Sequence, residues 1–313
     1  MYGATIGACS ILPFNAATNQ ACAAFLPTEE VLPSYLYYFL CSKRKTFVKD
    51  GVGGAQPNLS AGYLKNVIFD IPKKEQQERV VNILDRIERL IFMRKEQLDK
   101  LDHLVKSQFI EMFGDPIANP MNWETSRLTD LGSCKNGMNF HANDSGVELN
   151  CLGVGDFKDL AVIADTSALP KVSLNEEPSE EYLLHDGDIV FVRSNGNKML
   201  VGRCLAVYPR EIKTTFSGFC IRYRLASKEV NTMYLLHLLK TNSARQKLVG
   251  RGANIQNLNQ KILGDFLIPV PPIKLQNEFA SFIQQADKSK FAIQQSLEQL
   301  ETLKKSLMQE YFG

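Results

Sequence analysis

Six polar residues in two short stretches are the side chains best suited to chemistry: Lys135 and Asn139 in one, Arg193, Asn195, Asn197 and Lys198 in the other. That chemistry is recognition, not bond cleavage. A carboxamide offers a donor and an acceptor side by side, as an adenine edge requires; a guanidinium, at Arg193 or Arg203, can fork onto guanine; a lysine meets phosphate. The competing reading is conformational, because Lys135-Asn136-Gly137 and Asn195-Gly196-Asn197 also spell hairpin turns. Arg251 and Asn254, with Gln256 and Asn257, form a second group of the same residue types. There Gly250 and Gly252 favour a turn that directs the chain onward.

Patterns for catalysis are weak. No Gly-Lys-Ser/Thr phosphate loop is present, which argues against an ATP motor. Asn119-Pro120-Met121-Asn122 resembles only superficially the Asn-Pro-Pro-Tyr element of amino-methyltransferases, since no glycine-rich methyl-donor loop precedes it. Asp186 and Asp188 lack the following lysine of a metal-dependent nuclease and read better as a turn before a strand. The seven cysteines form no CxxC pair, and His103, His141, His185 and His237 are scattered, so no metal site is expected. Lys43-Arg44-Lys45 with Lys49 reads as a solvated helix end, and Trp123 as a core anchor. A net charge of +2 neither announces nor excludes nucleic acid. With no secretory signal and no apolar run of membrane-spanning length, the expectation is a cytoplasmic protein without a membrane partner.

The elements that must position these residues are written twice. Residues from about Val31 to Gly114 align without a gap to Val230 to Gly313, with identities that include Tyr35/Tyr234, Asn58/Asn257, Pro72/Pro271, Gln77/Gln276, Leu98/Leu297 and Leu101/Leu300. This spacing is too long for a solenoid and implies a duplicated domain plus helix. Each copy carries an apolar seam at alternating four- and three-residue steps. One runs through Leu84, Ile87, Ile91, Leu98 and Leu101, the other through Ile283, Ile293, Leu297 and Leu300. The seams predict two helices of roughly 30 residues, about 45 Å each. Left alone, either would expose its stripe to water, so the two are expected to pair, antiparallel, with Arg94, Lys290 and Lys304 snorkelling or setting register.

Between the helices, runs such as Asp188–Val192, Arg203–Tyr208 and Phe219–Arg224 alternate with Asn-, Gly- and Asp-rich turns, the mark of a β-rich domain. One helix near Asn231 to Leu248 interrupts them. The expected fold class is α+β: β-rich domains joined by two long antiparallel coiled-coil helices. The segments are 1–72, the C-terminal part of a first domain; 73–114, a central helix; 115–271, a complete second domain; and 272–313, a C-terminal helix. Gly7 answers to Gly202, so the equivalent of Trp123 to Ser194, roughly 75 residues, has no counterpart ahead of Met1.

An ordered set of motifs now stands out: Phe113-Gly114-Asp115-Pro116, Asn119-Pro120-Met121-Asn122-Trp123-Glu124, Asp186-Gly187-Asp188-Ile189-Val190, Arg193-Ser194-Asn195-Gly196, Gly250-Arg251-Gly252 and Ile268-Pro269-Val270-Pro271-Pro272. In the first copy Gly53-Gly54-Ala55-Gln56-Pro57-Asn58-Leu59, Ile71-Pro72 and Glu75-Gln76-Gln77 answer them. Across the whole chain this resembles the specificity (S) subunits of type I restriction-modification systems, N-terminally truncated. The resemblance implies target-recognition domains that read double-stranded DNA at a bipartite site, and helices whose length sets its spacing. It implies methylation (M) subunits as partners, restriction (R) subunits held through them, and no catalysis or cofactor in this chain. Methyl donor, ATP and Mg belong to the partners. Two alternatives stay open: a stand-alone DNA methyltransferase, and an assembly-only remnant that no longer reads DNA.

Overall fold

The structure, a computed structural model, describes residues 6–51, 58–141, 143–157, 161–249 and 257–313. The chain divides into two compact units, residues 1–100 with 289–313, and residues 101–288. Each unit thus takes a portion of both long helices.

In the first unit, α1 (Pro33–Ser42), α2 (Arg44–Asp50) and α3 (Ala61–Lys65) precede the long α4 (Lys74–Phe113). Proline at the start of α1 fits there because its missing N–H has no intrahelical partner to lose. Tyr35, Tyr38, Phe39, Phe47 and Leu59 form a core with Leu84 of α4 and Phe312 of the C-terminal helix (Ile273–Phe312). Within this unit the two long helices are joined directly. Arg94 Nε donates to Ser296 Oγ at 3.2 Å, Lys304 Nζ to Glu88 Oε1 at 2.7 Å, and Lys95 pairs with Glu301 at 3.2 Å. Numbers rise on one helix as they fall on the other, so the pairing is antiparallel. Leu84, Ile87 and Leu297 are buried, and Ile91, Leu98, Ile293 and Leu300 half-buried. Lys43 Nζ caps the Phe312 carbonyl at 2.7 Å, which gives one cation of the basic run a structural role.

Both long helices run 40 residues, about 60 Å, longer than the seams suggested. The added turn is polar and lies ahead of the first seam residue, where apolar periodicity gives no signal. Its buried member is glutamine. Gln77 Oε1 accepts from Leu32 N at 2.8 Å, and its Nε2 donates to the carbonyls of Glu30 (2.9 Å) and Pro72 (2.8 Å).

The second unit holds a β-rich domain. Its strands are β1 (Thr125–Arg127), β2 (Gly132–Asn136), β3 (Val147–Leu152), β4 (Val162–Ile163), β5 (Lys171–Leu174), β6 (Asp188–Val192), β7 (Cys204–Val207), β8 (Thr214–Phe216), β9 (Cys220–Leu225) and β10 (Leu267–Pro269). Five make one sheet in the order β2-β9-β6-β7-β4, three a second in the order β5-β3-β8, and β1 pairs with β10. The central sheet is covered on both faces. Ile189, Phe191, Cys204 and Ala206 face one core, and Val190, Val192, Leu205 and Val207 the other, the two-residue period of a strand.

Helices α5 (Leu128–Leu131), α6 (Thr232–Leu239), α7 (Asn242–Val249) and α8 (Gln260–Gly264) complete the unit. The single helix expected near Asn231 to Leu248 is therefore two, broken at Lys240-Thr241. The Thr241 hydroxyl donates to Leu238 O and accepts from Ala244 N, ending one helix and starting the next. Asn231 accepts from Met233 N and Tyr234 N as the cap of α6. Phe109 and Phe113 pack on Tyr234 and both meet Phe279, so α4 and the C-terminal helix pack here too; Leu101 is half-buried and Ile283 buried.

The motif after α4 is a built turn. Gly114 takes φ +76°, Asp115 Oδ1 accepts from Ile117 N and Ala118 N, and the Asn119 side chain both donates to Trp123 O and accepts from Trp123 N. Trp123 is only half-buried, not a core anchor, and its Nε1 donates to the last helical carbonyl, Phe113 O, at 3.2 Å. No helix among the described residues is long and apolar enough to cross a membrane.

Candidate nucleic-acid interface

Strand register brings three loops to one end of the five-stranded sheet. Asn136, at the end of β2, lies opposite Ile221, and Val192, at the end of β6, opposite Cys220, so both strands finish where β9 begins. The loops at 137–141 and 193–197 therefore flank the tight turn Ser217–Phe219.

Backbone hydrogen bonds lock them together. Gly218 N donates to Met138 O at 2.6 Å, Met138 N to Phe216 O at 3.0 Å, Arg193 N to Phe219 O at 2.8 Å, and Leu258 N to Arg193 O at 2.8 Å. Approach is close enough to demand glycine. A Cβ on Gly137 would strike the Ser217 and Phe216 carbonyls, and Gly218 lies close to the Asn139 side chain. The Arg245 guanidinium of α7 donates to the carbonyls of Met199 and Val201, just after the second loop.

Of the predicted residues, this end displays Asn139, which is exposed, and Arg193, half-buried, whose Nη1 donates to Gly218 O at 3.3 Å. A guanidinium has five donors, so one carbonyl does not exhaust it. Asn195 Oδ1 accepts from Asn197 N at 2.8 Å and Asn197 Oδ1 from Met199 N at 3.0 Å, which shapes their loop. Lys198 is exposed beside them. Lys135 lies in β2 and is engaged within the fold: it pairs with Glu181 and sits over the Tyr182 ring, and the hydrogen bond to Glu181 raises its pKa. Asn257 bridges Ser194; Arg251 and Asn254 lie outside the described residues, as does Gln256.

The aspartates once weighed as nuclease ligands have a structural task. Asp188 is buried and receives both arms of Arg224, Nε to Oδ1 at 2.9 Å and Nη2 to Oδ2 at 2.8 Å. Asp186 accepts from Arg210 N at 2.8 Å. Among the described residues no cluster of His, Cys, Asp and Glu is arranged for a metal ion.

Sequence reasoning missed Phe219 and Arg245. Phe219 opens an apolar run and reads as the first strand residue, yet β9 starts at Cys220 and leaves the ring 61% exposed. It also missed two exposed pairs at equivalent repeat positions on the long helices, Phe92 and Phe291 (62% and 65%) and Leu104 and Leu303 (47% and 47%).

A β-rich domain with polar loops gathered at one sheet end, followed by a long helix and preceded by a second copy of its own C-terminal part, defines a recognition-and-assembly class of protein. The family model of the type I restriction modification DNA specificity domain matches residues 1–103 and again residues 120–302, and the chain belongs to that family. It is 23% identical to the type I restriction enzyme StySPI specificity subunit of Salmonella potsdam and 21% identical to the EcoKI specificity subunit of Escherichia coli K12. Each match covers 96% of this chain and 69% of the relative. In fold it is similar to the crystal structure of the type I restriction-modification system S subunit from M. genitalium, with a TM-score of 0.55 and 16% identity over 91% of this chain and 73% of that one. A chain solved in work on complex assembly and conformational transition of the type I R-M system gives a TM-score of 0.61 at 17% identity, over 90% and 70%.

Proposed function

We propose that this chain is the DNA-reading and scaffold subunit of a type I restriction-modification complex, and that residues 115–271 form a recognition domain for one element of a bipartite site. The observation that carries this reading is the rigid cluster of three loops at one sheet end, presenting Asn139 and Arg193 in a member of the DNA specificity family. Arg193 and Asn139 address base edges, Lys198 meets phosphate, and Asn195 and Asn197 hold the loop that carries Arg193 and Lys198. Arg251 and Asn254 are assigned to DNA contact by residue type alone. The chain supplies no catalytic group; methyl donor, ATP and Mg are bound by the M and R subunits, and the assembly works in the cytoplasm.

The scaffold half of the proposal rests on the helices. Apolar side chains exposed at the same position of both repeats, Phe92 with Phe291 and Leu104 with Leu303, suit two copies of one partner, as two M subunits would be. The discriminating experiment is binding-site selection from random duplexes by the chain complexed with M subunits. A defined sequence emerging supports the reading, and enrichment of none would exclude it. Methyl-donor binding by the isolated chain would favour the methyltransferase alternative.

A further inference from the structure

Phe219 has no structural reason to be where it is. Its neighbours Phe216, Ser217 and Cys220 are buried, and the turn is fixed by Gly218 N to Met138 O, by Arg193 N to Phe219 O, and by Phe219 N donating to Ser217 Oγ at 3.3 Å. A large ring on a rigid backbone, 61% in water, forgoes the stabilisation that burial gives an aromatic side chain. Backbone wandering does not explain it, because the turn is held by hydrogen bonds and by the close approach of Gly137 to the Ser217 and Phe216 carbonyls.

The surroundings say what the ring would meet. It stands in the loop cluster between Asn139, a carboxamide, and Arg193, a guanidinium that holds the turn through Gly218 O. Hydrogen-bonding groups of this kind read the polar edges of bases but cannot sense the one apolar feature of the major groove, the thymine 5-methyl group, for which an aromatic or aliphatic side chain is the fitting contact. A side chain on a preordered backbone makes that contact with no loop to order first. We infer that Phe219 is a specificity-determining residue whose ring packs on a thymine methyl in the half-site read by residues 115–271, with Asn139 and Arg193 hydrogen-bonding neighbouring base edges.

This rests on the DNA-reading function proposed above, and the test separates the two. With M subunits present, affinity is measured for the selected duplex and for duplexes in which each thymine is replaced in turn by uracil, which removes only the methyl. The wild-type complex is expected to lose about tenfold at one position of the half-site. Phe219→Ala should lose a similar factor on the parent duplex and become indifferent to uracil there, while its binding to unrelated DNA and its salt dependence stay unchanged. Phe219→Leu, which keeps an apolar contact, should retain part of the discrimination. A sequence-specific wild type whose uracil profile matches that of Phe219→Ala overturns the thymine contact and leaves the DNA-reading function standing. A wild type without sequence preference overturns both.

Discussion

Gln77 and Gln276, at equivalent positions of the two repeats, make the same three hydrogen bonds. Where Gln77 engages Leu32 N, Glu30 O and Pro72 O, Gln276 accepts from Asn231 N at 2.8 Å and donates to Glu229 O at 2.9 Å and Pro271 O at 2.7 Å. Both are fully buried. Each ties the first turn of a long helix to the strap before it and to the loop ahead of a shorter helix. Each repeat is also finished by the other. Tyr35 packs on Phe312 at 5.1 Å, and its equivalent Tyr234 packs on Phe113, the equivalent of Phe312, at 4.7 Å.

Replacing Gln276, itself fully buried, with leucine leaves one N–H and two carbonyls without their partner. The expected loss is about 3 kcal/mol of unfolding free energy in urea. Gln77→Leu should cost a similar amount, and a change below about 0.5 kcal/mol would show the network to be incidental.

Leu98→Asp with Leu297→Asp places carboxylates in the helix seam, where Leu297 is buried. Circular dichroism should show a large loss of helix. Phe92→Ser with Phe291→Ser should leave the spectrum intact, because both rings face solvent, yet weaken assembly with M subunits at least tenfold. Unaltered assembly would remove these rings from the partner surface.

Asp188→Asn keeps shape but removes the charge that Arg224 forks. Arg224 retains some solvent contact, so the expected destabilisation is about 3 kcal/mol, at the low end for a broken buried pair. Thermal unfolding of the variant in isolation measures it.

Cys41 offers a pH test in the first unit. A hydrogen bond from Cys9 draws the Cys41 thiol down to about 7 and raises that of Cys9. Alkylation of Cys41 by iodoacetamide should therefore be slow in acid and climb as pH rises through about 7, since the thiolate is the nucleophile. Cys9→Ala removes the donor and should move the midpoint up toward 9.0, whereas an unmoved midpoint would deny the pairing.

The sequence was most readable where apolar periodicity is long. The seam at Leu84, Ile87 and Leu297 and the two-faced strand Asp188–Val192 stand out because burial repeats at a fixed step. The repeat exposed Gln77 and Gln276 as identities, but a buried glutamine bonded only to backbone looks like any polar first-turn residue. Loop chemistry was less legible. Whether Lys135 faces phosphate or Glu181 depends on the 3₁₀ turn at Glu180–Tyr182, far away in sequence. Phe219 was hidden by its strand-like neighbours, since only the register of β9 reveals that the ring lies one residue outside the sheet.

The central claim is that the loops at the end of β2, at the end of β6 and before β9 read DNA. The most direct measurement is binding-site selection by the M-containing complex carrying Arg193→Ala and Asn139→Ala, compared with wild type. The account predicts that the wild type selects a defined sequence, and that the variant loses the bases read by residues 115–271 while retaining its salt-dependent grip on unrelated DNA. Selection of the same sequence by both proteins would contradict it.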